Sequence, residues 1–308
     1  MERKLFMVGY KRLLMLIILA FSLSVGESLG YAEEVRGVTD DTIKIAVLGD
    51  QTGPAASVGI PIAKATRMYF RNINDKGGIN GRKVTIVVED DHYTIPGALA
   101  AFKRLIFKDR VLSILYCGGT GQTVTLMRHI EKEKVPIITV SLAETMTTPV
   151  KRYIFTPSSS YDDGLKIIID YIIKDIKAKT PKIAIVYPDL EFGKAGLDAT
   201  EKYLQRYNLK LADKEVLALS AIDATSQVLS LKRSKPDYII LHNAAAAIIS
   251  FLKGAKRYGL KTPIYGSFYV SSEDTISIAG SASEGLIAAS PYGYWSDSTP
   301  GMIQMRKI

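Results

Sequence analysis

The segment of this 308-residue chain best equipped for chemistry is Tyr116-Cys117-Gly118-Gly119-Thr120-Gly121-Gln122-Thr123. Glycines and small hydroxyls that close a β-branched run and lead into a helical stretch leave backbone N–H groups free. Such a helix start favours an anion by about 0.3–1 kcal/mol at exposed sites. Thr120, Gly121, Gln122 and Thr123 are therefore placed to hold a carboxylate; the alternative is an ordinary glycine-rich turn capped by Thr120. Gly119 and Gly121 begin a dinucleotide fingerprint, but its last glycine is missing and the segment follows the third strand, not the first. His92, His129 and His242 are far apart, and no HExxH, GxSxG or Walker-type loop occurs. These residues point to a binding protein with no cofactor and no metal, not to an enzyme.

The elements that must position this segment alternate from Thr42 onward. Short β-branched runs such as IKIAVLGD (Ile43 to Asp50), VTIVVED (Val84 to Asp90), VLSILYC and VPIITV are separated by stretches of helical period, including an expected helix from Thr123 to Lys134. That alternation predicts βαβ units and parallel sheets. The extended segment Tyr153 to Pro157 has no helix leading into it, and the pattern then restarts with KIAIVYP, a strand near Asp213 to Leu219, YIILHN and PIYGS. The organisation read from this is an α/β fold of two similar doubly wound lobes joined by crossover strands. Lobe one is expected over 38–152, a hinge crossover over 153–157, lobe two over 158–284, and the return crossover with the start of the C-terminal part of lobe one over 285–308. Ligands in such sheets sit beyond the carboxyl ends of the strands, which puts the cleft between the lobes.

Arg3, Lys4, Lys11 and Arg12 precede an apolar run from Leu13 to Val25, followed by Gly30 and Ala32. A basic region, an apolar core and small residues at the −3 and −1 positions predict a secretory signal peptide, residues 1–32, cut after Ala32. A membrane anchor is the other reading, but a spanning helix needs about 20 apolar residues. No cysteine follows the run for lipid attachment, so the mature chain is expected free in a periplasm, where its single cysteine, Cys117, gives it no internal disulfide. Without residues 1–32 the chain keeps 36 Lys and Arg against 29 Asp and Glu, scattered along the sequence. Nucleic-acid binding needs a clustered basic face, so no nucleic-acid partner is expected, and the chain is read as a monomer.

The segments LGDQTGPAASVGIP, NDKGGINGRKVTIVVEDDHY, GGTGQT, VPIITVSLAET, YIFTPSSSYDD and PDLEFGKAG carry a resemblance. In order and spacing they resemble the leucine/isoleucine/valine-binding protein family, type I periplasmic solute-binding proteins of ABC transporters, over about Ile43 to Tyr292. The resemblance implies a small-molecule solute, a membrane permease as partner and the type I periplasmic binding protein fold. An extracytoplasmic sensing module for a signalling receptor is the competing reading. The ligand carboxylate would be held by Thr120 to Gln122 and by the loop Ser141-Leu142-Ala143-Glu144, with Val58 as a wall residue. A Tyr-Gly pair of the family falls at Phe192-Gly193, which keeps the apolar wall and loses a hydroxyl.

The family's acidic partner for an α-ammonium falls in the run Ala244 to Ala247, with Ala247 among the contact positions. A buried ammonium without a partner costs several kcal/mol. Either Glu144, Asp50 or Asp189 replaces the missing carboxylate, or the ligand is not an α-amino acid. Asp90, Asp91 and Tyr93 resemble a loop near the cleft mouth, with strand-end capping as the plain alternative. Phe268 and Tyr269 follow a strand of lobe two, where they stack on the ligand or serve the core or hinge. Family members continue for some tens of residues beyond the equivalent of PGMIQMRKI, which implies that the C-terminal part of lobe one is truncated here.

Overall fold

The computed structural model describes residues 35–307; the expected signal peptide, residues 1–32, lies outside them. Strand β1 (Thr42–Leu48) becomes fully buried toward its carboxyl end, as a parallel strand covered by helices on both faces must. It is followed by α1 (Ala56–Asp75), β2 (Lys83–Glu89), α2 (Ile95–Lys103), β3 (Ser113–Cys117), α3 (Thr120–Glu133), β4 (Ile137–Thr139) and β5 (Ile154–Phe155). These strands form one sheet in the order β2-β1-β3-β4-β5, and every pairing in it is parallel. On one face of it Ala98, Phe102 and Leu105 and, beside them, Leu126 and Ile130 pack with Leu48 and Ile114, while Val47, Ala63 and Tyr116 make a smaller cluster with α1.

The second half repeats the design. After α4 (Tyr161–Asp170) come β6 (Ile183–Tyr187), α5 (Glu191–Gln205), β7 (Leu211–Val216), α6 (Thr225–Ser234), β8 (Tyr238–Leu241), α7 (Ala245–Arg257), β9 (Ile264–Ser267), α8 (Glu273–Ala279), β10 (Ile287–Ala289) and α9 (Pro300–Met305). The sheet order is β10-β9-β8-β6-β7. Read from the other edge, it is the first sheet's order: second strand, first, third, fourth, fifth. In this winding the strand order reverses between the first and third strands of each sheet, which lie parallel, and the connections leaving them part to open a crevice at their carboxyl ends.

Each segment expected to cross between the lobes is the last strand of a sheet. β5 pairs with β4, and α4, capped by a reciprocal Ser160–Asp163 box, then packs against α5, β9 and β10 of the second lobe. β10 pairs with β9. Two local expectations shift. The strand expected near Asp213 to Leu219 is β7, two residues earlier at its start. Helix α3 begins at Thr120 instead of Thr123 because Gly121, a weak helix former, still takes helical geometry in a first turn built over the sheet.

Candidate functional site

Thirteen residues enclose a cavity of about 30 Å³ between the lobes: Ala55, Val58, Tyr93, Tyr116, Gly119, Thr120, Val140, Ser141, Tyr161, Phe192, Leu219, Ala244 and Tyr269. All lie at, or just past, the carboxyl end of a strand, from β1 through β9. Solute pockets commonly reach some 300 Å³ or more, so a solute can enter only as the lobes part.

Lobe one supplies the small hydroxyls of the lining, Thr120 and Ser141, among Ala55, Val58, Val140 and two tyrosines. The N-cap of α3 is Gly119, in extended geometry, and no side chain caps the first turn, so the N–H groups at this helix start, where Gly119 and Thr120 line the cavity, have no side-chain acceptor. Thr120 Oγ1 and Ser141 Oγ are buried and 2.9 Å apart. The Ser141 N–H donates to Thr139 Oγ1 at 3.0 Å, and Thr139 Oγ1 is 2.9 Å from Thr123 Oγ1. This network fixes the loop after β4 against the start of α3. A Cβ on Gly119 would lie 2.6 Å from the Tyr93 ring, so only glycine lets that ring close over the helix start.

The face supplied by lobe two is aromatic. Phe192 meets Tyr161 and Tyr269 edge-on, with ring centroids 5.5 and 5.3 Å away, and lies over the His242 imidazole at 4.2 Å. The Phe192 carbonyl must accept, so His242 Nε2–H donates to it at 3.2 Å and Nδ1 accepts from the Ser267 hydroxyl at 3.0 Å. Complete burial pushes the His242 imidazole down to about 4, which keeps it neutral. Burial pushes the phenols of Tyr93, Tyr116, Tyr161 and Tyr269 upward, so all four stay neutral.

None of the thirteen lining residues is charged. The carboxylates considered as ammonium partners are engaged elsewhere. Asp50 accepts the N–H groups of Thr52, Gly53 and Ala55 in its own loop, at 3.2, 2.5 and 2.6 Å. Asp189 is exposed and pairs with Lys194 at 3.4 Å. Glu144, 45% exposed, is bound by Lys202 of α5 at 2.8 Å, and that ammonium holds its carboxyl below the usual range. Glu191 is exposed at the rim. Asp50, Asp90 and Asp91 bring oxygens within 4.8 Å of one another, a spacing that suits a cation. Asp90, however, accepts the Gln51 and His92 N–H groups and the Thr52 hydroxyl. With Asp50 met by three N–H groups as well, the cluster is built as a pair of loop-closing turns.

Of the residues expected in the site, Val58, Thr120, Ser141 and Phe192 line the cavity together. Gly121 lies at the lobe contact, where a Cβ would come within 3.6 Å of Glu191, and Gln122 is buried in the first turn of α3. Ala143 is buried behind the Ser141 loop. Ala247 is fully buried in the second lobe's core, because α7 starts at Ala245 and turns that position inward; Ala244, at the N-cap, lines the cavity instead. Phe268 stacks on Tyr269 at 4.1 Å and borders a separate cavity of about 190 Å³ near β10. Tyr116, Tyr161, Leu219 and Ala244 were not foreseen as lining residues; each lies within a few residues of a strand's carboxyl end, the signal that would have found them.

Among the described residues no helix is long and apolar enough to cross a membrane. A model of the periplasmic binding protein family matches residues 42–307. The Leu/Ile/Val-binding protein of Escherichia coli (strain K12) is 26% identical over 255 residues, 82% of this chain and 69% of that protein. The leucine-, isoleucine-, valine-, threonine-, and alanine-binding protein of Pseudomonas aeruginosa is 27% identical over 260 residues, 83% of this chain and 68% of that one. Two solved structures align with a similar extent. A fatty acid ABC transporter substrate-binding protein from Thermomonospora curvata has a TM-score of 0.80 at 26% identity, covering 87% of this chain and 69% of that one. A branched chain amino acid ABC transporter protein from Thermus thermophilus with bound valine has a TM-score of 0.81 at 25% identity, covering 88% and 70%. With its two parallel α/β lobes and a family match over most of its length, this chain belongs to the periplasmic binding protein family, a family of solute binders and not of enzymes.

Proposed function

We propose that this chain is the exported solute-capturing component of an ABC importer and that its cargo is a small carboxylate with an apolar or aromatic body and no α-amino group. The observation that carries the reading is the wholly uncharged cavity lining. A carboxylate finds donors at the first turn of α3 and at the Thr120 and Ser141 hydroxyls. An ammonium finds no carboxylate among the lining residues, and burying it unpaired costs several kcal/mol. Similarity does not choose between cargoes, since relatives named for a fatty acid and for amino acids match this chain about equally well.

In this account the solute docks on lobe one, and lobe two then swings in about β5 and β10 to lay Phe192, Tyr161 and Tyr269 over its apolar part. Closure is favoured only by contacts that the closed form adds, so a membrane permease that recognises the closed form takes up loaded protein. Residues 1–32 serve export to the periplasm, where the chain acts as a monomer. A thermal-shift screen of matched pairs tests the cargo: leucine against 4-methylpentanoate, phenylalanine against 3-phenylpropanoate. The acids are expected to raise Tm and the amino acids to leave it unchanged; stabilisation by the amino acids alone overturns the assignment.

A further inference from the structure

Asp91, just beyond β2, is 0% exposed. Its Oδ1 accepts the Tyr93 N–H at 2.9 Å, and its Oδ2 has no hydrogen-bond donor among the described residues. A Cβ on Gly118 would fall 2.7 Å from that Oδ2 and 3.2 Å from Gln122 Cβ. The unpartnered oxygen therefore lies against the backbone entering α3, one residue from Gly119 of the cavity lining. Tyr93, whose N–H it accepts, is another lining residue.

We propose that Asp91 is the proton-accepting element of the anion site, so that capture of a carboxylate at the start of α3 is coupled to uptake of one proton by Asp91. A buried ionised carboxylate without donors is unfavourable by itself, and a second negative charge brought to the same apolar region raises that cost. Protonating Asp91 relieves both, and it turns an orphaned acceptor into a donor. Burial, with Asp50 and then Asp90 adding repulsion, already pushes its carboxyl up to about 6. A modest further push moves it through neutral pH. The groups facing it are Asp50 from the loop after β1, Asp90 and Tyr93 from its own loop, and Tyr116 and Cys117 from β3. Burial pushes the Cys117 thiol up to about 12, so it remains neutral. The neighbouring His92 is an exposed partner of Asp90, at 3.1 Å.

This inference rests on the carboxylate reading of the cleft, and calorimetry separates the two. The intact chain is titrated with 4-methylpentanoate and with 3-phenylpropanoate at pH 7.5 in phosphate and in Tris, whose ionisation heats differ. The heat difference is expected to report net uptake of a fraction of a proton per acid bound. Affinity should fall by up to about tenfold per pH unit between pH 7 and 8.5, the limit for one linked proton. Asp91→Asn should bind at least as tightly at pH 8, with no uptake and a flat pH profile. Binding without proton uptake, or equal uptake by Asp91→Asn, overturns the coupling; the wild-type measurement stands even if the variant does not fold. Failure of both acids to bind at any pH overturns the carboxylate reading itself, and the coupling with it.

Discussion

The two lobes wind five strands in the same order but bring different groups to the cleft they share: both give apolar and aromatic side chains, and only lobe one adds small hydroxyls. Lobe one offers an uncapped helix start and the Thr120–Ser141 hydroxyl pair, with the Asp91 carboxylate buried behind the lining against Gly118. Lobe two offers Phe192 and Tyr269, braced by a neutral histidine, and Tyr161 at the start of its first helix joins them. One fold can host both because the sheet order fixes only where the strand ends converge, while the residues just past each strand are free to differ. In the proposed function lobe one orients the solute and lobe two covers it.

The largest effect should come from the aromatic face. Phe192 is 5% exposed and touches Tyr161, His242 and Tyr269. Phe192→Ala should cost about 3–5 kcal/mol of stability in urea denaturation. A loss below about 1 kcal/mol would mean that these rings do not form a packed unit.

Next is Asp91. Its folded-state pKa, about 6, lies above the ordinary 3.8, so the fold favours the protonated form. The sign follows: the contribution of Asp91 to stability is greatest below about pH 4, falls as pH rises toward 6, and is then level. A shift of about two units corresponds to about 3 kcal/mol. Asp91→Asn should therefore stabilise the protein by about 2–3 kcal/mol at pH 7.5 and hardly at all at pH 4, read by denaturation at both pH values. Equal effects at the two pH values would contradict the burial of an ionised group.

Smaller effects should come from the hydroxyls of lobe one. Ser141→Ala removes one hydroxyl of the pair and should weaken carboxylate binding by about tenfold, or about 1–1.5 kcal/mol, in a fluorescence or calorimetric titration. The smallest concerns the contact that joins the faces. Lys202 of α5 reaches Glu144 of lobe one at 2.8 Å and Asp162 of α4 at 3.1 Å, with Lys202 itself 43% exposed. Lys202→Met should weaken solute binding by less than about 1 kcal/mol, with 1 M salt reproducing most of the loss in the wild type.

Much of this architecture was legible in the chain. The β-branched runs at β1, β2, β6 and β8 and the restart after Tyr153 determine two wound lobes, because strand burial on both faces leaves a strong local signal. Less of the site was legible. Val58, Thr120, Ser141 and Phe192 could be placed, since each lies in a segment with a recognisable pattern. Ala244 and Ala247 could not be told apart, because one turn of phase in α7 decides which faces the cleft and which the core. Leu219 and Tyr161 carry no mark in sequence beyond following a strand. The unmet Oδ2 of Asp91 is invisible there too, because it depends on the approach of Gly118 and α3 from elsewhere in the chain.

The central claim is that the cleft grips a carboxylate and that its lining sets no carboxylate against an ammonium. Isothermal titration of the purified chain with leucine and with 4-methylpentanoate, which differ only by the α-amino group, tests it most directly. The account predicts tighter binding of 4-methylpentanoate, by about tenfold or more. Tighter binding of leucine by the same margin would contradict it and would require a carboxylate to reach the cavity that the uncharged lining does not supply.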